Sequence, residues 1–196
     1  MNRELTEFKT LPDLMWDIKR KGMTDLISGI RLVPFTATYG QLDRVMQWSL
    51  DREVNKYYVV GKPMSEAEFL MVYQVYPVVS SVAAFEIINK EDTPVGFANI
   101  AFLDKPMPVT AIIIGDKSQW GRGIGYRTVS MLHMRMKEAG YRKAIAQVYG
   151  DNIESINIYR GFVPNVKVVG RDPDILELTM DLTQWQPAHP IQMVVG

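Results

Sequence analysis

Cysteine is absent from the 196 residues, which excludes disulfides, thiolate metal ligands and a covalent acyl-cysteine intermediate. Histidine is nearly absent: of the two, His133 sits among methionines and His189 near the C-terminal end, too far apart in sequence to predict a metal site without thiolates to join them. A surplus of one charge is missing as well. Lys plus Arg and Asp plus Glu each number 22, so no long-range field draws nucleic acid or an anionic membrane, and neither partner is expected. No apolar run approaches the ~20 residues of a membrane span, and the opening MNRELTEFK is too charged for a signal-peptide core. A cytoplasmic protein is expected. What is present is 47% apolar and 10% aromatic residues, enough for the core of one globular domain.

Periodicity divides the chain. Leu5, Phe8, Leu11, Met15 and Ile18 recur at spacings of three and four, predicting an amphipathic arm over residues 1–29, interrupted near Pro12. IRLVPFT reads as a first strand and TYGQLDRVMQWSLD as a helix with Leu42, Val45, Met46 and Leu50 on one face. Ser65 with Glu68 three residues on has the spacing of a capping box and opens a second helix. SSVAAFEIINK and PVGFANIAFLD about EDTP predict an antiparallel hairpin, and VTAIIIG an adjoining strand apolar enough for burial on both faces. YRTVSMLHMRMKEAG is helical, with Thr128, Leu132 and Met136 in line and Gly140 ending it. KAIAQVYG, NIESINIYR, VKVVG and DILELTMDL supply a strand, a short helix and two closing strands, so a mixed α/β domain is expected over residues 30–184 with a tail at 185–196.

Between the IIIG strand and the long helix lies DKSQWGRGIG. Gly121, Gly123 and Gly125 remove Cβ atoms where a backbone can approach a ligand, and the helix N-terminus adds a partial positive charge for an anion, with Arg122 able to contribute a charged contact. An ordinary β-to-α turn explains the glycines equally well. The Lys-Ser or Lys-Thr ending of a P-loop is missing, and the cluster follows antiparallel-looking strands instead of opening a βαβ unit, which argues against a dinucleotide fold.

QWGRGIG followed by AQVYGDNIESINIYRGF resembles the GNAT superfamily of acyl-CoA-dependent N-acyltransferases, whose loop carries Arg or Gln, two free positions, Gly, one free position, and Gly or Ala. Trp120 takes the first place, Gly121 and Arg122 the free ones, and Gly123 and Gly125 the fixed ones. The aromatic residue, with MQWSLDREVNKYY, is similar to the ribosomal-protein and amino-sugar N-acetyltransferase branch. The resemblance implies an α/β (α+β) GNAT fold: a mixed, mostly antiparallel central sheet of six to seven strands with helices on both faces. It implies that acetyl-CoA, or another acyl-CoA, is held by backbone amides from Arg122 through Gly123, Ile124 and Gly125 to Tyr126, with Trp120 and Gly121 beside them. The pantetheine arm would lie between the TAIIIG and KAIAQVYG strands, with strand amides near Ile113 and Ile114 able to polarise the thioester oxygen and Asn152 and Ser155 at the following helix. Asn152 reads equally as that helix's N-cap.

The implied reaction moves an acetyl or other short acyl group directly to a primary amine on a small molecule, an amino sugar or a protein. Tyr159 is the expected proton donor to the leaving thiolate; packing in the core is its other reading, and the short YRGF ending would shift the tyrosine place to Asn157. For the base, Glu86 can face the cleft if strand alternation sets it opposite Phe85, or else face solvent, and Asp116 can act through water or simply cap its loop. Trp48, Tyr57 and Tyr58 are candidates for an aromatic acceptor wall, or are surface aromatics bordering the core. Because the preceding strand carries no carboxylate and the chain has extra terminal segments, a catalytically reduced binding or assembly module is the alternative. The arm and tail can clasp their own chain or a second copy in a homo-oligomer.

Overall fold

The computed structural model describes residues 11–57, 65–162, 164–170 and 174–196. Leu5, Phe8 and Tyr58 of the sequence expectations lie outside the described residues. The first described element is helix α1 (Leu11–Arg20), followed by strands β1 (Met23–Asp25) and β2 (Arg31–Pro34). Helices α2 (Tyr39–Leu50) and α3 (Glu66–Val75) come next, then the strands β3 (Ala83–Ile88), β4 (Pro94–Ala101) and β5 (Val109–Ile114). Helix α4 (Ile124–Glu138), β6 (Lys143–Tyr149), α5 (Ile153–Arg160), β7 (Asn165–Gly170), β8 (Ile175–Asp181) and β9 (Met193–Val195) complete the order.

The predicted elements from β2 to β8 all form, for the local reasons expected of them. Ser65 accepts from the Glu68 backbone while the Glu68 carboxylate reaches back, and Thr38 with Gln41 makes a second capping box that opens α2. Thr128, Leu132 and Met136 are fully buried along α4, and the last two side chains each contribute about 1.5–3 kcal/mol by leaving water. Gly140, at φ 89°, follows the C-terminal end of α4 in the left-handed conformation that lets Tyr141 N–H reach back to Met136 O at 3.0 Å.

Nine strands form one sheet in the order β7-β8-β6-β5-β4-β3-β2-β1-β9, against the expected six to seven. The additional strands are β1, inside the predicted arm, and β9, inside the predicted tail, and they pair antiparallel with each other through Met23↔Val195, Thr24↔Val194 and Asp25↔Met193. Arm and tail therefore clasp within the chain. One core lies under α1 and α4 and holds Ile18, Phe85, Ile87, Ala98, Leu132 and Met136; the other lies under α2 and α3 and holds Phe35, Val45, Phe69, Tyr73, Ala84 and Phe97. Among the described residues no helix is long and apolar enough to cross a membrane.

Every strand pair is antiparallel except β5 with β6, which join at a single position, Val109↔Ile145. Beyond it, β5 continues its ladder with β4 as far as Ile114↔Gly96, and β6 continues with β8 as far as Tyr149↔Ile175. Each strand is committed to its outer neighbour, and the twist of a sheet then carries the two apart. The result is a V-shaped gap through the middle of the sheet, opening toward the N-terminus of α4.

Candidate active site

The gap exposes strand edges that need partners. Ile145 N–H donates to Pro108 O at 2.9 Å, and the Trp120 indole donates to Ile114 O at 2.8 Å, so the even-numbered residues of β5 turn their peptide groups away from β4. The Ile113 carbonyl turns the opposite way and lies so close to Gly96 that a Cβ there would meet it at 2.3 Å. Peptide groups of Ile112 and Ile114 consequently face the gap, while Ile113 contributes its side chain to the wall.

A cavity of about 850 Å³ fills the opening. Its walls come from β5, β6, α5, the glycine loop, the segment after α2, and the aromatic floor of Tyr73 and Phe97. Ile113, Ile114, Trp120, Gly121, Gly123, Ile124, Gly125, Tyr126, Asn152, Ser155, Tyr57 and Tyr159 all line it. Arg122 does not, standing exposed on the outside of the loop with no ion-pair partner among the described residues.

The glycines divide in role. Gly121 and Gly123 have φ values of 72° and 77°, a region L side chains avoid, and a Cβ on either would meet nothing within 4 Å. Gly123 is the N-cap of α4 and no side chain caps that end; the first bond back into the helix is Arg127 N–H to Gly123 O. The amides of Ile124, Gly125 and Tyr126 are thus left as orphan donors at the positive end of a 15-residue helix. Gly125 serves packing: a Cβ there would come within 2.7 Å of Ile158 Cδ1 and 3.3 Å of Ile112 Cδ1.

Tyr159 projects from α5 into the base of the gap, only 2% exposed. Burial pushes its phenol up to about 12, against a smaller opposing effect of hydrogen bonding with the Thr110 hydroxyl. The group keeps its proton throughout the physiological range and so can offer a hydrogen bond to a developing anion. Asn152 caps α5 by accepting from Ser155 N–H at 3.0 Å and also lines the cavity, so its two sequence readings coincide in one place.

Three expected residues lie elsewhere. Glu86 does point to the face opposite Phe85, yet it is buried under α2 in an ion pair with Arg44 at 2.7 Å and lines no part of the cavity. Asp116 caps the turn Lys117–Gln119 by accepting from Ser118 N–H at 2.9 Å and is likewise outside the lining. Trp48 packs its ring against Gly115, where a Cβ would overlap it at 2.1 Å, and so braces the glycine loop instead of walling the cavity.

The sequence reading missed the polar wall. Asn99 of β4, Gln147 of β6 and Thr110 of β5 interrupt apolar strands, and that interruption was the available signal. Glu53, Lys56 and Glu154 are charged groups at the lining. The segment carrying the first two bridges both banks of the gap: Lys117 holds Asp51 at 2.8 Å and Glu53 at 3.1 Å on one side, and Tyr57 donates to Asp151 O at 3.3 Å on the other. No group of three or more potential metal ligands occurs among the described residues.

The site is thus a mixed α/β sheet parted between two central strands, with an uncapped helix N-terminus at the parting. The chain belongs to the GNAT acetyltransferase family, whose domain matches residues 30–162. An uncharacterized protein of Methanocaldococcus jannaschii is 28% identical over 126 residues, 62% of this chain. The chain spans about a quarter of that relative's length. A domain from the same organism superposes with a TM-score of 0.68 at 25% identity, covering 79% of this chain and 99% of that one. Spermidine N-acetyltransferase from Vibrio cholerae, solved with CoA and spermine, gives 0.64 at 15% identity over 84% of this chain and 97% of its own. Mycobacterium smegmatis RimJ, solved with a CoA disulfide, gives 0.67 at 12% identity over 88% and 92%.

Proposed function

We propose that this protein is an N-acyltransferase that moves an acetyl or other short acyl group from acyl-CoA to a primary amine by direct transfer. The observation that carries the reading is the coincidence of the parted β5 and β6 strands with the uncapped N-terminus of α4. Family membership and two structural neighbours solved with CoA species support it.

The residues fit an acyl-CoA. Orphan amides of Ile124, Gly125 and Tyr126 suit a diphosphate, and the open space beside Gly121 and Gly123 leaves room for it. The peptide edge of Ile112, beside an Ile114 carbonyl that accepts from the Trp120 indole, suits the amide-bearing pantetheine arm. When bound, the acyl-CoA supplies an activated thioester carbonyl. Transfer forms an amide bond to the acceptor nitrogen and breaks the carbon–sulfur bond, so the chain must take one proton from the amine and stabilise one thiolate.

An alkyl amine, with a pKa near 10, reaches the site mostly protonated. That extra proton is lost to solvent as the amine enters, and the second proton, released from the nitrogen as the amide forms, leaves toward the wall carboxylates, Glu53 and Glu154. Tyr159 donates its hydroxyl proton to a hydrogen bond with the developing thiolate, and its high pKa keeps that donor charged with a proton at every working pH. Orientation of both reactants in one cleft supplies much of the remaining acceleration. The acceptor is a primary amine on a small molecule, an amino sugar or a protein. The test is a thermal shift with CoA, then thiol release with an amine panel. At a hundred times its dissociation constant a ligand adds about 2.7 kcal/mol of stability; no shift at saturating CoA or acetyl-CoA rejects the reading.

A further inference from the structure

We infer that the C-terminal tail and the β1–β2 hairpin are positioning elements for the first turn of α4, coupled to it through Asp25 and Tyr126. The inference rests on the reading of that turn as the diphosphate site. It starts from a difficulty in the geometry. Helix ends fray, and this end has no side-chain cap, yet three adjacent amides must be held in a fixed direction to grip an anion. Trp48 braces the loop at Gly115, but among the described residues no side chain of the loop ties down the turn that carries them.

The tail does. Asp25 is completely buried, and both carboxylate oxygens are filled by donors from its own turn and from two distant parts of the chain. Oδ2 accepts from Arg127 Nη1 at 2.5 Å and from Ser28 Oγ at 2.6 Å; Oδ1 accepts from Ile27 N–H at 3.1 Å and from Gln192 N–H at 3.3 Å. Arg127 is in the first turn of α4 and Gln192 immediately precedes β9. Burial alone would raise the Asp25 carboxyl, but these hydrogen bonds from Ser28, Ile27, Arg127 and Gln192 outweigh it and hold the group below the usual carboxylate range.

A second tether is independent of the first. The Tyr126 hydroxyl accepts from Ala188 N–H at 2.6 Å, and the Tyr126 ring meets the edge of His189 at a centroid distance of 5.6 Å. Two consecutive residues of the α4 first turn are therefore tied to the tail, while Leu26 N–H to Gln192 O at 2.9 Å and the β1–β9 ladder fix the tail to the hairpin.

A purely structural brace and a positioning element differ in one consequence. If the tail sets the direction of the α4 amides, an anion held by those amides must in return tighten the tail, because coupling between two sites is reciprocal. Hydrogen exchange on the full chain, with and without CoA, reads this directly at the Ala188 and Gln192 amides. Exchange at both should slow by about fivefold or more with CoA, the lower end of ordinary coupling between sites. Calorimetry should find CoA binding weakened by about the same factor in Asp25→Asn, with kcat at saturating acetyl-CoA within about twofold of wild type, and weakened by a smaller factor in Tyr126→Phe. Tyr126→Phe removes only one acceptor, so it decides the matter if Asp25→Asn does not fold. Wild-type chain that binds CoA with unchanged exchange at both amides, and variants that bind it as tightly as wild type, overturn the inference and leave the diphosphate site standing. A wild-type chain that binds no CoA removes the site and the inference together.

Discussion

His133 offers the sharpest test of how the core of this protein is built. It lies on α4 with its ring edge-on to Phe162 at 4.7 Å and to Trp185 at 5.9 Å, fully buried, and neither ring nitrogen has a hydrogen-bond partner among the described residues. Desolvation is the whole cause of its shift, from 6.5 to about 3, so the native state holds the ring neutral through the entire mildly acidic range. The unfolded chain does not. Below pH 6.5 an unfolded histidine binds a proton that the native one refuses, so stability falls as pH falls, from about pH 6.5 down to the native value near 3. Between pH 7.5 and pH 5 the loss from this one residue is about 2 kcal/mol, since each pH unit below the unfolded pKa costs about 1.36 kcal/mol. For a chain of this size that is roughly a 4–8 °C fall in melting temperature. The carboxylates with depressed values, Asp25, Asp51, Glu68 and Asp181, lose their contributions only at lower pH, through the ordinary carboxylate range and below. They leave the window clear. Urea denaturation of wild type and His133→Leu at pH 7.5, 6 and 5 isolates the effect: the variant should lose about 2 kcal/mol less than wild type over that interval. Parallel pH slopes in the two proteins would refute the neutral, buried histidine.

Other substitutions separate chemistry from architecture. Tyr159→Phe should lower kcat severalfold or more in a thiol-release assay with little change in acetyl-CoA affinity, and the wild-type rate should show no loss attributable to phenol ionisation up to about pH 10. Gly123→Leu places a side chain at positive φ in open space, so circular dichroism should report a folded protein about 1–2 kcal/mol less stable while calorimetry finds CoA binding lost. Gly125→Val does the opposite by colliding with Ile158 and Ile112, and should cost about 1–3 kcal/mol in denaturant melts.

Local rules made most of the fold legible. The capping box at Ser65, the line of Thr128, Leu132 and Met136, and the apolar VTAIIIG run each state their element in consecutive residues, and each element formed; the burial expected on both faces of VTAIIIG did not, because β5 borders the cavity and only Thr110 in it is buried. What escaped was non-local. Strands of three residues such as β1 and β9 carry too little pattern to be seen, and their pairing joins residues about 170 positions apart, as in Met23↔Val195. The same limit governs the site. Alternation along β3 correctly set Glu86 opposite Phe85, but only the packed helix reveals that Arg44 already holds it. Trp48 lies outside the cavity lining for a similar reason, its partner Gly115 being disclosed only by packing, whereas Asp116 takes the loop-capping alternative already legible in the sequence.

The glycine loop shows why a motif and a mechanism are different statements. Four glycines within eleven residues look interchangeable in QWGRGIG and the IIIG before it, yet the structure assigns them three separate physical tasks. Gly115 yields space to the Trp48 ring, Gly125 yields space to Ile158, and only Gly121 and Gly123 combine positive φ with emptiness above the backbone. Open space is a property a ligand site requires, but Gly140 at a plain helix end has it too, so what distinguishes Gly121 and Gly123 is that they also line the cavity. The same reasoning applies to β5, where the peptide groups of Ile112 and Ile114 face a gap that a completed sheet would have closed. A free strand edge and an uncapped helix would each be a minor defect alone. Set end to end along one 850 Å³ cavity, they place backbone donors and acceptors on its walls, with Tyr159 among the lining residues.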